Sequence, residues 1–317
     1  MVVNEGEFGN LEIFLCKVAL YQGLYKNVIS PSGPTTWANI QEMPTGGGRS
    51  YAPVQMARVV NYNAPALNQW YLSIGTNGKA QALYSSTPIQ WLMSAQEVAD
   101  GNTVQGSFRS YWKLPFQNGA IQIREGDVIK GAVSGATAVV TAVNVLSGTW
   151  GAGTAAGFLY LEIRNANAFN NGENLTLVGI IGTVSVGAQG GGYAVGDIIS
   201  VTQSGAWGAK LVVTSVGGAG AVTGLVVVDP GQGFSAASGL ATTHLTGSGN
   251  DALTVNILTL ATTTYAVSNS GTKNAGDAWK MIYDVIPMAT PQLVNQVGLP
   301  FTIQPLLSED TDTAVTG

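Results

Sequence analysis

The hydrophobic pattern of this chain changes period soon after its start. Over residues 5–22 (EGEFGNLEIFLCKVALYQ), Leu11, Phe14, Leu15 and Val18 recur at helical spacing and form one apolar stripe, which predicts an amphipathic helix. Asn4 stands where an N-cap is expected, and Glu5 and Glu7 fall where the positive end of the helix dipole favours acids. Beyond it the period becomes two. GLYKNVISPSGP predicts a strand running into a proline-rich turn, and residues 68–86 (NQWYLSIGTNGKAQALYSS) predict a hairpin with Asn77-Gly78 at its tip. Ile89, Trp91 and Met93 alternate within PIQWLMSAQEVADGN, and TVQGSFRSYWKLPF continues as a strand. This region is expected to be one sheet with the helix packed on it.

From about Gly119 to Thr262 aromatic residues thin out and Gly, Ala, Val and Thr take over. A repeat lies here. Gly126-Asp127-Val128-Ile129 matches Gly196-Asp197-Ile198-Ile199, and Ser134-Gly135-Ala136 matches Ser204-Gly205-Ala206; after a two-residue slip, TAVNVLSG falls on VTSVGGAG. Short valine-rich strands broken by glycine turns predict small barrels or sandwiches, and the repeat is too short and irregular for a solenoid. Aromatic residues return near the C-terminus, where Leu299-Pro300-Phe301 echoes Leu114-Pro115-Phe116. The expected fold is therefore mainly β. An N-terminal amphipathic helix packs on a sheet or sandwich domain (1–118 plus 263–305), and two glycine-rich modules (119–185 and 186–262) are inserted before the returning C-terminal strands. The polar end, 306–317, is expected to be a flexible tail.

Composition narrows the function. Charged residues make up 10% of the chain against roughly 25% in soluble domains, and 42 glycines suit β-structure dense in tight turns. A net charge of −5 with no basic cluster argues against nucleic acid as a partner. The single cysteine, Cys16, excludes an internal disulfide and fits synthesis in a cytosol. MVVNEGEFGN has no signal-peptide pattern, and no apolar run is long enough to predict membrane insertion.

Candidate chemistry is sparse, and no enzyme, cofactor or metal is expected. His244, the one histidine, lies in ATTHLTGSG without a nucleophile elbow anywhere in the chain, and reads as an ordinary strand or turn residue. One Cys and one His exclude the usual zinc spacings. Asp100, Glu173 and the acidic SEDTDT are conceivable calcium ligands, but turn formation explains them better. GAGTAAG, GGAGAVTG and GQGFSAASG lack the Lys-Ser/Thr of a phosphate loop. A glycosidase pair would need Glu125 with Asp127 or Asp284, and nothing in the spacing identifies one. The remaining candidates for interaction are aromatic: Trp150, Trp207, Tyr193 and Phe234, all beside glycines in the modules. Such rings stack on sugars or anchor a partner; the plainer reading is that each plugs a barrel otherwise built of small side chains.

The opening GEFGNLEIFLCKVALYQGLYKNVISPSGPTT, with GGGRSYAP after it, resembles virion structural proteins of tailed bacteriophages, and the modules resemble parts of phage head, tail and fibre proteins. That resemblance implies a non-enzymatic part of a phage particle. The absence of a heptad stalk, a collagen-like repeat or an autocleavage site favours a compact capsid cement or decoration protein over a fibre shaft. The implied partners are the major capsid protein or other virion proteins and further copies of the chain, as a trimer. The alternative is a tail, baseplate or fibre component that binds a host surface glycan. In either case the implied location is the virion.

Overall fold

A computed structural model of the protein describes residues 4–29, 37–75, 79–119, 121–165, 167–261, 264–266 and 279–308. The chain is mainly β, and it divides into two compact units, residues 1–114, 158–162 and 270–317 in one and residues 115–157 and 163–269 in the other.

In the first unit the predicted helix spans Asn4–Lys17, so Asn4 lies inside it and the chain is already a strand at Tyr21–Tyr25. The helix ends early because Val18, Tyr21 and the residues around Gly23 favour extended backbone. Leu11 and Leu15 are buried, and the helix lies against the strands Trp70–Ile74 and Ala80–Tyr84. These two strands pair antiparallel, Trp70 opposite Tyr84; the tip expected at Asn77-Gly78 lies outside the described residues. Burial alternates along Ile89–Leu92 as the sequence predicts, with Ile89 and Trp91 inside.

Just after the alternating Ile89, Trp91 and Met93, Ala95–Asp100 forms a short helix. Ser94 is its N-cap, Glu97 closes the capping box, and Gly101 ends it in the left-handed conformation at φ +61°. The long strand Thr103–Gly119 pairs antiparallel with Tyr21–Tyr25 and with Lys280–Leu293. Pro300–Ile303 pairs with Ile89–Leu92. Leu306–Ser308 pairs with Ala80–Tyr84, and Leu307 is buried. The tail predicted from residue 306 therefore begins as a strand, because alternating Leu306-Leu307-Ser308 extends an existing sheet. Two buried cations tie the unit together: Arg109 grips Asp284 through two nitrogens, and Lys280 bonds Glu42 at 3.0 Å beneath the Trp37 ring.

In the second unit, the first module is built on Val128–Gly131, paired with Thr137–Ser147 on one side and Asn174–Leu177 on the other. The second module is a six-stranded antiparallel sheet that curls into a nearly closed barrel. Its first strand, Ile180–Gln189, pairs with its last, Leu253–Ala261, which moves the module boundary from the expected residue 186 back to 180. Thr264–Ala266 then pairs with Asn174–Leu177, so the chain rejoins the first module rather than leaving the unit at 263. The barrel core is small: Ile199, Leu211, Val213, Leu253 and Val255 fill it with Tyr193 and Phe234.

Candidate functional site

Three turns of the second unit are built alike. Each begins with a buried apolar residue (Ile123, Phe169, Tyr193), reaches glycine three residues later, and then places a buried acid: Asp127, Glu173 or Asp197. The glycines Gly126, Gly172 and Gly196 have φ of +93°, +70° and +96°, which a residue with a Cβ adopts only under strain. Each acid accepts the N–H of the residue three positions before it: Arg124 to Asp127 at 2.7 Å, Asn170 to Glu173 at 2.6 Å, Ala194 to Asp197 at 2.9 Å. The turn thus closes on its own backbone.

Two of these turns start the repeated segments, and their surroundings match bond for bond. Gly126 donates to Val140 O and Val140 back to Asp127 O; Gly196 donates to Val213 O and Val213 back to Asp197 O. The matched pairs require a slip of three residues, not two, between the copies. The extra residues lie between Gly205 and Ala209, and they include Trp207.

Trp207 lines a cleft of about 360 Å³ between the two modules. Arg124 and Asp127 contribute from the first turn, Asp229 and Gln232 from the strand Val222–Gln232. Arg124 donates from both terminal nitrogens to Asp229 Oδ2, at 3.3 and 3.4 Å. Gln232 is buried; its Oε1 accepts Val128 N–H at 3.3 Å, while its Nε2 has no partner among the described residues. The indole lies over Gly126, with a ring carbon 3.4 Å from where a Cβ would stand, yet Trp207 remains 42% exposed. Burial pushes the Asp127 carboxyl up to about 6, with Asp229 adding to the rise and the Arg124 N–H and guanidinium opposing it.

Of the four aromatic candidates, only Trp207 reaches this cleft. Trp150 stacks on Phe116 with ring centroids 5.1 Å apart, over Gly119, where a Cβ would meet it at 2.4 Å. Tyr193 and Phe234 are buried in the barrel core, so they present no ring to a partner. Gly190 and Gly249 make room for Tyr193, where Cβ atoms would come within 2.9 and 2.0 Å of its ring. These two rings plug the barrel. The sequence pattern points to neither Arg124 nor Gln232, and no local signal joins Arg124 to a residue 105 positions away.

The other candidates are held in structural roles. His244 Nδ1 lies 2.7 Å from Asp251 Oδ1, and that carboxylate also accepts His244 N–H, which holds Asp251 below its usual range. Asp100 is gripped by Arg49 at 2.6 and 3.0 Å. Glu173 takes four bonds, from the N–H groups of Val133, Ser134 and Asn170 and from the Ser134 hydroxyl. Asp284 is bound to Arg109 in the first unit, whereas Asp127 closes its turn in the second. Among the described residues no group of three or more His, Cys, Asp or Glu is placed to hold a metal ion; the acidic run after Ser308 lies outside them. Among the described residues no helix is long and apolar enough to cross a membrane. Comparison with protein-family models, with curated proteins and with solved structures yields no match.

Proposed function

We propose that this chain is a non-enzymatic structural component of a tailed-bacteriophage particle, a capsid cement or decoration protein that binds the major capsid protein. The observation that supports this reading is the use the second unit makes of its acids. Asp127 and Asp197 are spent on closing their own turns, and Glu173 closes its turn while also holding the Val133-Ser134 turn, which yields small rigid blocks suited to a platform or spacer. The resemblance of the N-terminal segment to virion proteins supplies the setting. Attachment is cumulative: apolar burial contributes roughly 25 cal/mol per Å², and stable interfaces bury about 1,200–2,000 Å². Trimeric assembly, implied by the same resemblance, multiplies those contacts.

Purified protein added to heads lacking it is expected to cosediment at fixed stoichiometry and to raise their resistance to heat. Failure to cosediment with heads would overturn the proposal. Gold-labelled antibody against residues 119–262 is expected over the head; label confined to the tail tip would instead favour the host-glycan alternative, to which the exposed indole of Trp207 gives specific support.

A further inference from the structure

We infer that the cleft between the two modules binds a neutral saccharide, with one sugar ring laid against the indole of Trp207. This develops the host-glycan alternative into a defined site, and it holds wherever the protein sits on the particle.

A volume of about 360 Å³ lies at the small end of ligand pockets, which run to roughly 300–1,000 Å³. It suits a monosaccharide or a short oligosaccharide. The second copy is longer by three residues, and those residues bring in the one large aromatic ring that lines the cleft among the described residues. A half-exposed indole offers a flat apolar face to the C–H side of a pyranose.

The polar groups fit the hydroxyls. Gln232 lines the cleft, and its Nε2 is a buried donor with no acceptor among the described residues, a costly arrangement that a small turn of the side chain toward a ligand oxygen would relieve. Arg124 and Asp229 set a donor and an acceptor side by side, the pair that a hydroxyl, itself both donor and acceptor, satisfies. Their charges offset each other, and Asp127 lies close by. A phosphate or carboxylate would therefore face two acids, and a cation would face the guanidinium. A neutral polyol meets neither penalty.

The test is calorimetric titration of the full chain with glucose, galactose, mannose, N-acetylglucosamine and their disaccharides. At least one is expected to bind in the millimolar to micromolar range. Trp207→Leu is expected to weaken binding at least about tenfold, as loss of a central aromatic anchor does. Trp207→Phe, which keeps a flat ring, should retain most of it and so separates lost stacking from misfolding. Gln232→Leu should also weaken binding, and Trp150→Ala should leave it unchanged. The inference is overturned if no sugar binds, if Trp207→Leu binds as well as the parent, or if adenosine or inorganic phosphate binds and the sugars do not. Failure here leaves cosedimentation with heads untouched, so the two proposals fall separately.

Discussion

One buried carboxylate in the first unit and one in the second are pushed in opposite directions. Glu97 in the first unit and Asp127 in the second are both almost wholly shielded from solvent. Burial raises Glu97 as it does Asp127, but hydrogen bonds from the side chain and backbone of Ser94, the backbone of Tyr51 and the side chain of Ser50 outweigh it and take the carboxyl down to about 2. Asp127 receives one backbone N–H, from Arg124, and burial wins, taking it up to about 6. In this pair burial raises both carboxyls, and the larger set of donors at Glu97 is what outweighs it.

The largest test of that contrast is Glu97→Ala. It strands the Tyr51 and Ser94 N–H groups, removes half of a capping box, and is expected to cost about 3 kcal/mol in urea denaturation. A loss below about 1 kcal/mol would show that donor number is not what holds the acid ionised. Glu173→Gln is expected to cost about 2 kcal/mol, because both carboxylate oxygens accept from donors and an amide must turn its own N–H groups toward one set.

Asp127→Asn should do the reverse. Only Oδ2 accepts a hydrogen bond, which an amide oxygen can also do, and the charge is gone; after discount for solvent screening the gain near neutral pH is about 1 kcal/mol.

Stability against pH gives these two acids separate signatures. The folded Asp127 holds its proton up to about 6 against an ordinary 3.8, so its contribution is fully present below 3.8 and is lost as pH rises toward 6. Glu97 contributes above its ordinary 4.5, and that part is lost as pH falls toward 2. Thermal melts of Asp127→Asn should lack the first slope and keep the second. The smallest effect compares equivalent glycines. Gly126→Ala and Gly196→Ala both strain a left-handed backbone at about 1 kcal/mol, but a Cβ at 196 meets nothing while one at 126 touches Trp207. At 3.4 Å that is an ordinary van der Waals contact, so the cleft copy should be the better tolerated by a few tenths of a kcal/mol, read as a difference in melting temperature.

Much of the fold was legible wherever one local rule acted alone. The alternation of Ile89, Trp91 and Met93 gave a strand, and Gly-Asp followed by a β-branched pair gave the repeat. The third turn escaped notice because Glu173 stands in for Asp and Asn174-Leu175 for the β-branched pair, although the glycine and the buried residue ahead of it are in place. The short helix at Ala95–Asp100 was readable from Ser94 and Glu97 at capping-box spacing, but the preceding alternation masked it. The cleft was not legible, since Arg124, Trp207 and Gln232 meet only through the packing of two modules. Nor does sequence separate Trp207 from Tyr193 and Phe234. All three follow or precede glycine, and only the closure of the barrel decides which rings go inside.

The self-closing turn has a consequence for how such a protein is inherited. A fragment whose acid is satisfied by its own backbone brings its geometry with it wherever duplication copies it, because no distant residue must change to receive it. Strand residues can then drift, and a hairpin can gain three residues, while the frame stays fixed. New recognition can arise in a copied segment without renegotiating the architecture that carries it.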